Sequence, residues 1–212
     1  VDFKNATLLP GLIEGHAHLF LYPYNITDWD TQVLKETDAL RTIRASVHAK
    51  NTLMAGFTSV RDLGTEGAGY ADVSLKKAIL DKIIEGPRMM VAGRAIVSTG
   101  SYGPKGYDND QKIMLGAEPA DGNELVRVVR DQIWQGADFI KTSTGKVAPA
   151  ATPPVVLVML EAVRDFYEMT NVRIGVKPAG GIRNTKDAIK QLVLVNETAG
   201  PEWLTPSLFR IG

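Results

Sequence analysis

Cysteine is absent from the 212 residues. Its absence excludes a disulfide framework, a thiol nucleophile and Cys-ligated metal, and it fits a cytoplasmic protein. Neither sign of charge is in excess, because 24 Lys and Arg balance 24 Asp and Glu. A general nucleic-acid or polyanion binder would carry a basic surplus, so no nucleic-acid partner is expected. No apolar run approaches the roughly 18 residues of a membrane span, and no basic-then-apolar signal opens the chain. No membrane partner is therefore expected. His is scarce at three residues, so a metal centre would have few imidazoles to draw on. The first residue is Val1 rather than Met, which raises the expectation of a missing N-terminal stretch. The remainder is ordinary globular composition, 44% hydrophobic and 23% charged, in a length that can bury a real core.

Along the chain, short β-rich runs alternate with helical patterns. Strands are expected within 8–21, 57–63, 88–97, 138–142, 173–177 and 208–211. Between them, Leu40, Ile43, Val47 and Met54 recur at a helical period, and Gly56 ends that helix. Asp72 is expected to cap a helix through Leu75, Ile79 and Ile83, stopped by Gly86-Pro87. Asp121-Gly-Asn-Glu124 has the form of a capping box. Thr152-Pro153-Pro154 starts a helix over about 155–169 that is apolar on most sides, and Thr185 caps another to about 195. A Gly-rich loop of more than 20 residues follows the third strand, a length usual for a functional or mobile loop. Strand-helix alternation means an α/β fold with parallel strands, and the pattern leaves a barrel and an open doubly wound sheet both available.

Three constellations carry chemistry. Gly15-His16-Ala17-His18 ends the first strand, and side chains two apart on an extended chain point the same way. His16 and His18 can thus reach one metal ion, or stand as plain loop histidines. His48, within a helical pattern, reads as structural. Lys141 follows the apolar run Phe139-Ile140, at the strand end where α/β folds bind ligands. A desolvated Lys near a second cation becomes a carbonyl nucleophile; the bland alternative is a Lys that snorkels into solvent. Lys177 is a second amine at a strand end, followed by Gly180-Gly181 and Arg183. Glycines that admit a close ligand, a helix end and a forked guanidinium together make a phosphate site. One Lys would form an imine while the charge of the other lowers its pKa.

Residues 4 to about 140 resemble the amidohydrolase superfamily, in particular its Xaa-Pro dipeptidase and imidazolonepropionase-like members. The motifs are Leu8-Leu-Pro-Gly-Leu-Ile-Glu-Gly-His-Ala-His18, Ala55-Gly-Phe-Thr-Ser-Val-Arg-Asp-Leu-Gly64 and Gly86-Pro-Arg88. Residues 138–212 resemble 2-deoxyribose-5-phosphate aldolase. The motifs there are Phe139-Ile-Lys-Thr-Ser-Thr-Gly-Lys146, Val176-Lys-Pro-Ala-Gly-Gly-Ile-Arg183 and Leu208-Phe-Arg-Ile-Gly212. Both families can read Gly136-Ala-Asp-Phe-Ile-Lys141, so the two parts, 1–137 and 138–212, would join in a shared segment of one barrel-like domain.

Both families are (βα)8 barrels, so the resemblance implies a TIM-barrel-derived parallel fold with about six strands, as an incomplete or reduced barrel. It gives Lys141 two incompatible roles, a carboxylated metal-bridging Lys or a Schiff-base Lys. It makes Lys177 the partner that lowers the amine's pKa. Lys146, Gly180, Gly181, Arg183 and Gly212 would face a substrate phosphate. His16 and His18 would hold zinc weakly, because the later metal ligands of that family are missing. The aldolase part lacks the upstream Asp that assists proton transfer.

The expectation is a barrel-fragment chimera, built or recombined at a shared strand, with little native activity. Any residual activity would be that of a Schiff-base lyase acting on a phosphorylated aldehyde without a cofactor, and the alternative is a metal-dependent hydrolase. Unpaired strand edges and apolar surface near Val195 and Leu208 lead to the expectation of a homo-oligomer.

Overall fold

The structure, a computed structural model, describes Lys4 and residues 7–97, 117–122, 124–142 and 152–212. Seven short strands lie among these residues: β1 (Leu12–Ala17), β2 (Phe57–Asp62), β3 (Arg88–Val91), β4 (Ala95–Val97), β5 (Ala117–Pro119), β6 (Phe139–Lys141) and β7 (Gly175–Lys177). Six helices accompany them: α1 (Trp29–Leu34), α2 (Asp38–Met54), α3 (Ala71–Leu80), α4 (Glu124–Gln135), α5 (Pro153–Thr170) and α6 (Thr185–Thr198).

All strand pairs are parallel. One ladder runs β1-β2-β3, a second pairs β4 with β5 and a third pairs β6 with β7. Single bridges, Ile96 to Thr142 and Val176 to Phe209, extend the order from β4 through β6 and β7 to the C-terminal segment. Asp138 joins β3 to β6: its N–H donates to Val91 O, and its carboxylate accepts from Val91 N at 2.8 Å. Among the described residues the ladders do not close into a ring. The C-terminal segment nevertheless approaches β1, where a Cβ built on Gly15 would lie 2.7 Å from Arg210 Nη1. The arrangement is the reduced parallel (βα) fold expected from the barrel resemblance.

The elements depart from expectation where polar side chains took over packing. The third strand, expected over 88–97, breaks at Gly93 into β3 and β4. Gly93 has φ +69°, and a Cβ there would meet the Tyr70 ring at 2.8 Å. Its N–H donates to Asp72 Oδ2 at 2.8 Å. Asp72 is therefore not the cap of α3; it is a buried acceptor inside the first turn. In α2 the helical period is right but the face is reversed. Arg41, Ala45 and Ala49 are buried, whereas Leu40, Ile43, Val47 and Met54 are exposed, Ile43 by 67%.

The cap of α2 is Thr37, whose hydroxyl accepts from Leu40 N, and Asn184 rather than Thr185 caps α6. Thr152 precedes α5 as expected, though without a side-chain cap bond. The proposed capping box includes Asn123, and the long loop lies mostly at 98–116; both fall outside the described residues. Val195 itself is buried and Leu208 packs on the core, but Ile189, Leu192 and Val193 of α6 and nearby Leu204 are exposed, as are the apolar side chains of α2 and Leu12 and Ile13 of β1.

Candidate functional site

The C-terminal ends of β1, β2, β6 and β7 converge. Lys141 ends β6 and Lys177 ends β7, and the two are partners in the parallel register. They are 6% and 5% exposed, so the sheet brings two buried amines side by side as the sequence implied, and neither snorkels into solvent. Burial pushes the Lys177 amine down to about 8, helped by the charges of Lys141, Arg61 and Arg210. Burial also lowers Lys141, while the nearby carboxylates of Glu66 and Asp62 oppose that shift. Asp62 and Glu66 belong to the end of β2 and the loop after it. The strand-end position that marks the lysines marks Asp62 equally, although neither acid is among the expected site residues.

Each acid is built in. Asp62 is fully buried and accepts from Leu19 N at 3.1 Å and Gly64 N at 3.0 Å. Burial and the Asp72 charge raise its pKa to about 8. Glu66 has φ +51°, a left-handed backbone that a non-glycine residue adopts only when its surroundings dictate it. Trp29 Nε1 donates to its carboxylate at 3.2 Å, and His18 Nδ1 lies 3.9 Å away. Trp29 opens α1, a helix missed at the sequence level although Asp28 caps it through Thr31 N. Arg41 holds the two loops together by donating to Phe20 O and, at 2.7 Å, to Thr65 O.

His16 and His18 do point to the same side, with ring centroids 5.6 Å apart. His18 Nδ1 meets Gly64 O at 2.8 Å, which makes that nitrogen the donor and leaves the lone pair on Nε2. His16 Nδ1 meets Lys177 Nζ at 3.4 Å. Burial first, then Lys177, His18 and Lys141, push His16 down to about 4, so its ring is neutral and accepts from the ammonium. His48 bonds Leu19 O at 2.8 Å, the structural role expected of it.

The donor set does not fit a metal ion. Among the described residues no three His, Asp or Glu side chains gather as a ligand group. The Lys177 ammonium takes the lone pair of one imidazole. The negative charge of Glu66 near Lys141 would oppose an anionic carbamate there.

The expected phosphate residues divide. Gly180 and Gly181 have φ +104° and +76°, and Gly180 N donates to Gly212 O at 3.0 Å. Gly212 lies against Lys177, where an added Cβ would come 3.2 Å from Nζ. Arg183 is exposed, with its backbone N–H on Asp187. Lys146 lies outside the described residues.

Comparison with known proteins finds likeness to both families. The human deoxyribose-phosphate aldolase is 61% identical over 77 residues, 36% of this chain and 24% of that protein. The mouse enzyme is 60% identical over the same length and shares. The chain thus spans about a quarter of the length of these relatives. Among solved structures, a Xaa-Pro dipeptidase with methionine in its active site superposes with a TM-score of 0.64 at 24% identity, covering 87% of this chain and 46% of that one. A proposed deoxyribose-phosphate aldolase of Toxoplasma gondii ME49 gives a TM-score of 0.52 at 21% identity, covering 84% and 62%. At these identities the two structures share the fold with this chain. Residues 4–140 are amidohydrolase-like and 138–212 aldolase-like, in a single parallel αβ framework. The amidohydrolase family model matches residues 7–199 and therefore runs through the shared segment into the aldolase-like part. On the strength of that match, the chain belongs to the amidohydrolase family.

Proposed function

We propose that the chain is a barrel-fragment chimera with little native activity, whose residual chemistry is imine formation at Lys141. The observation that carries this reading is the register of Lys141 with Lys177, two buried amines at neighbouring strand ends. The neutral amine of Lys141 attacks the carbonyl carbon of a small aldehyde, and loss of water leaves an iminium. In the retro-aldol direction the iminium of a β-hydroxy aldehyde loses its hydroxyl proton to water as the bond between the α and β carbons breaks; the β carbon leaves as the first aldehyde, and the electron pair of the broken bond forms an enamine. Protonation at carbon and addition of water then release the second aldehyde and restore the lysine. Burial keeps part of the Lys141 amine population neutral, and Lys177 is its partner in the parallel register. Lys146, Gly180, Gly181, Arg183 and Gly212 would hold the phosphate of a phosphorylated aldehyde. No cofactor is needed for this chemistry.

The hydrolytic alternative through His16 and His18 has the family match behind it but not the donor set. Purified protein should release acetaldehyde from 2-deoxyribose 5-phosphate slowly if at all, and trapping with cyanoborohydride and acetaldehyde should place an ethyl group on Lys141. No adduct at Lys141 removes the imine reading, and rapid turnover of either parent's substrate removes the claim of little activity. Self-association belongs to the same reading, because β1 is a ladder edge with Ile13 71% exposed. Light scattering should return a dimer, and a monomer would contradict it.

A further inference from the structure

We infer that the Lys177 ammonium takes the place of a metal ion at the β1 histidines, with His16 as the residue that positions it. The inference does not depend on the imine reading.

The geometry is specific. His16 Nδ1 lies 3.4 Å from Lys177 Nζ, across 161 positions of sequence and across the join between the two family-like parts. Zinc would need that same lone pair at about 2.0–2.1 Å, so the ion and the ammonium compete for one electron pair. The lysine is held from three sides. β7 fixes its backbone against β6, burial removes it from solvent, and Gly212 lies against its amine, where an added Cβ would come 3.2 Å from Nζ.

The other imidazole is oriented too. His18 is fixed by the Gly64 carbonyl, an arrangement that would suit a metal-binding histidine. What is lacking is room for a second cation. Lys141, Arg61 and Arg210 add their charges around Lys177, and the neighbouring acids already serve other partners. Asp62 caps two backbone N–H groups, and Glu66 accepts from Trp29. The His-x-His motif of the amidohydrolase-like part has thus become an acceptor for the lysine of the aldolase-like part.

Zinc binding to chelator-treated protein tests this directly. Lys177→Met removes the charge and frees His16, and should bind zinc at least about tenfold more tightly than the wild type. Lys177→Arg keeps the charge and should bind no better than the wild type. Equal zinc affinity in the wild type and Lys177→Met overturns the inference, as does tight stoichiometric binding by the wild type. Should Lys177→Met fail to fold, acetylation of Lys177 followed by peptide mass spectrometry reads the same contact from the other side. His16→Ala should speed labelling of Lys177 about threefold or more, and His16→Asn, which returns an acceptor near the Nδ1 position, should reverse most of that change. Unchanged labelling in His16→Ala overturns the inference. Neither assay contains an aldehyde, so failure here is distinct from failure to trap Lys141.

Discussion

The β1-β2-β3 half and the β6-β7 half of the molecule are held together differently. Around β6 and β7 the core is aliphatic and thick. Val128, Val129, Ile140, Met159, Leu160, Val163 and Val195 are essentially inaccessible, with Trp203 among them. Around β1 to β3 the core is thin. It consists of Leu19, Phe20, Val60, Leu75, Met89 and Val91 with small Ala45, Ala49 and Ala68. Buried polar groups fill the remaining space there: Gln32, Arg41, Asp62 and Asp72. Each of the four bonds backbone groups of the loops at the strand ends. One half is stabilised by apolar area, the other by polar clamps that also fix the loops carrying His18 and Glu66. The difference teaches where the chemistry of this chain resides. The aliphatic half supplies a rigid pair of lysines, and the polar half supplies the groups that surround them.

Substitutions can break that contrast, beginning with the largest effect. Leu160→Ala in α5 should cost about 2–5 kcal/mol in chemical denaturation, because it opens a cavity in the thick core. A loss below 1 kcal/mol, on the order of an exposed site, would show that this core is loose. Ala45→Leu in α2 should cost about 1–3 kcal/mol by overpacking the thin core. A stabilised variant there would mean that α2 does not sit against β2 as described.

The polar half also predicts a pH dependence. Asp62 has its pKa raised to about 8 and Asp72 to about 6, both chiefly by burial. Between the unfolded value near 4 and these folded values, the native state holds protons that the unfolded chain has released. Stability from these two groups is thus complete below about pH 4 and falls as pH rises through their folded values. Denaturation midpoints measured across that range should decline, and Asp62→Asn should flatten the decline. An unchanged slope in Asp62→Asn would move the effect elsewhere. The smallest effect belongs to Ile43→Ala on the exposed face of α2, which should change stability by no more than about 0.5 kcal/mol. A loss of several kcal/mol would restore the buried face that sequence periodicity had favoured.

The thick half was the more legible in the sequence. The run in α5 is apolar on most sides, so no choice of face was needed, and Thr152 with two prolines marked its start. Lys141 and Lys177 followed from their position after apolar strands. In the thin half, periodicity located α2 but named the wrong face. The buried stripe is Arg41, Ala45 and Ala49, and a buried arginine cannot be told from a solvated one until its carbonyl partners are known. Asp72 resembled a helix cap because its partner, Gly93 N, is 21 residues away. Asp62 and Glu66 stood at a strand end all along, and Asp28 with Thr31 already marked the helix that brings Trp29 to Glu66. The contact between His16 and Lys177 could not be read from the sequence, since it depends on β1 and β7 facing one another across the site.

That contact joins the two halves, and nitrogen NMR of 15N-histidine-labelled protein measures it most directly. The chain has three histidines, and a His16→Ala spectrum assigns the signal. Beside the Lys177 ammonium, His16 should titrate near 4 and stay a neutral ring with an unprotonated, hydrogen-bonded Nδ1 above that pH. A midpoint at the ordinary 6.5 would contradict the account, because it would mean that His16 is neither buried at the site nor beside the lysine of the other half.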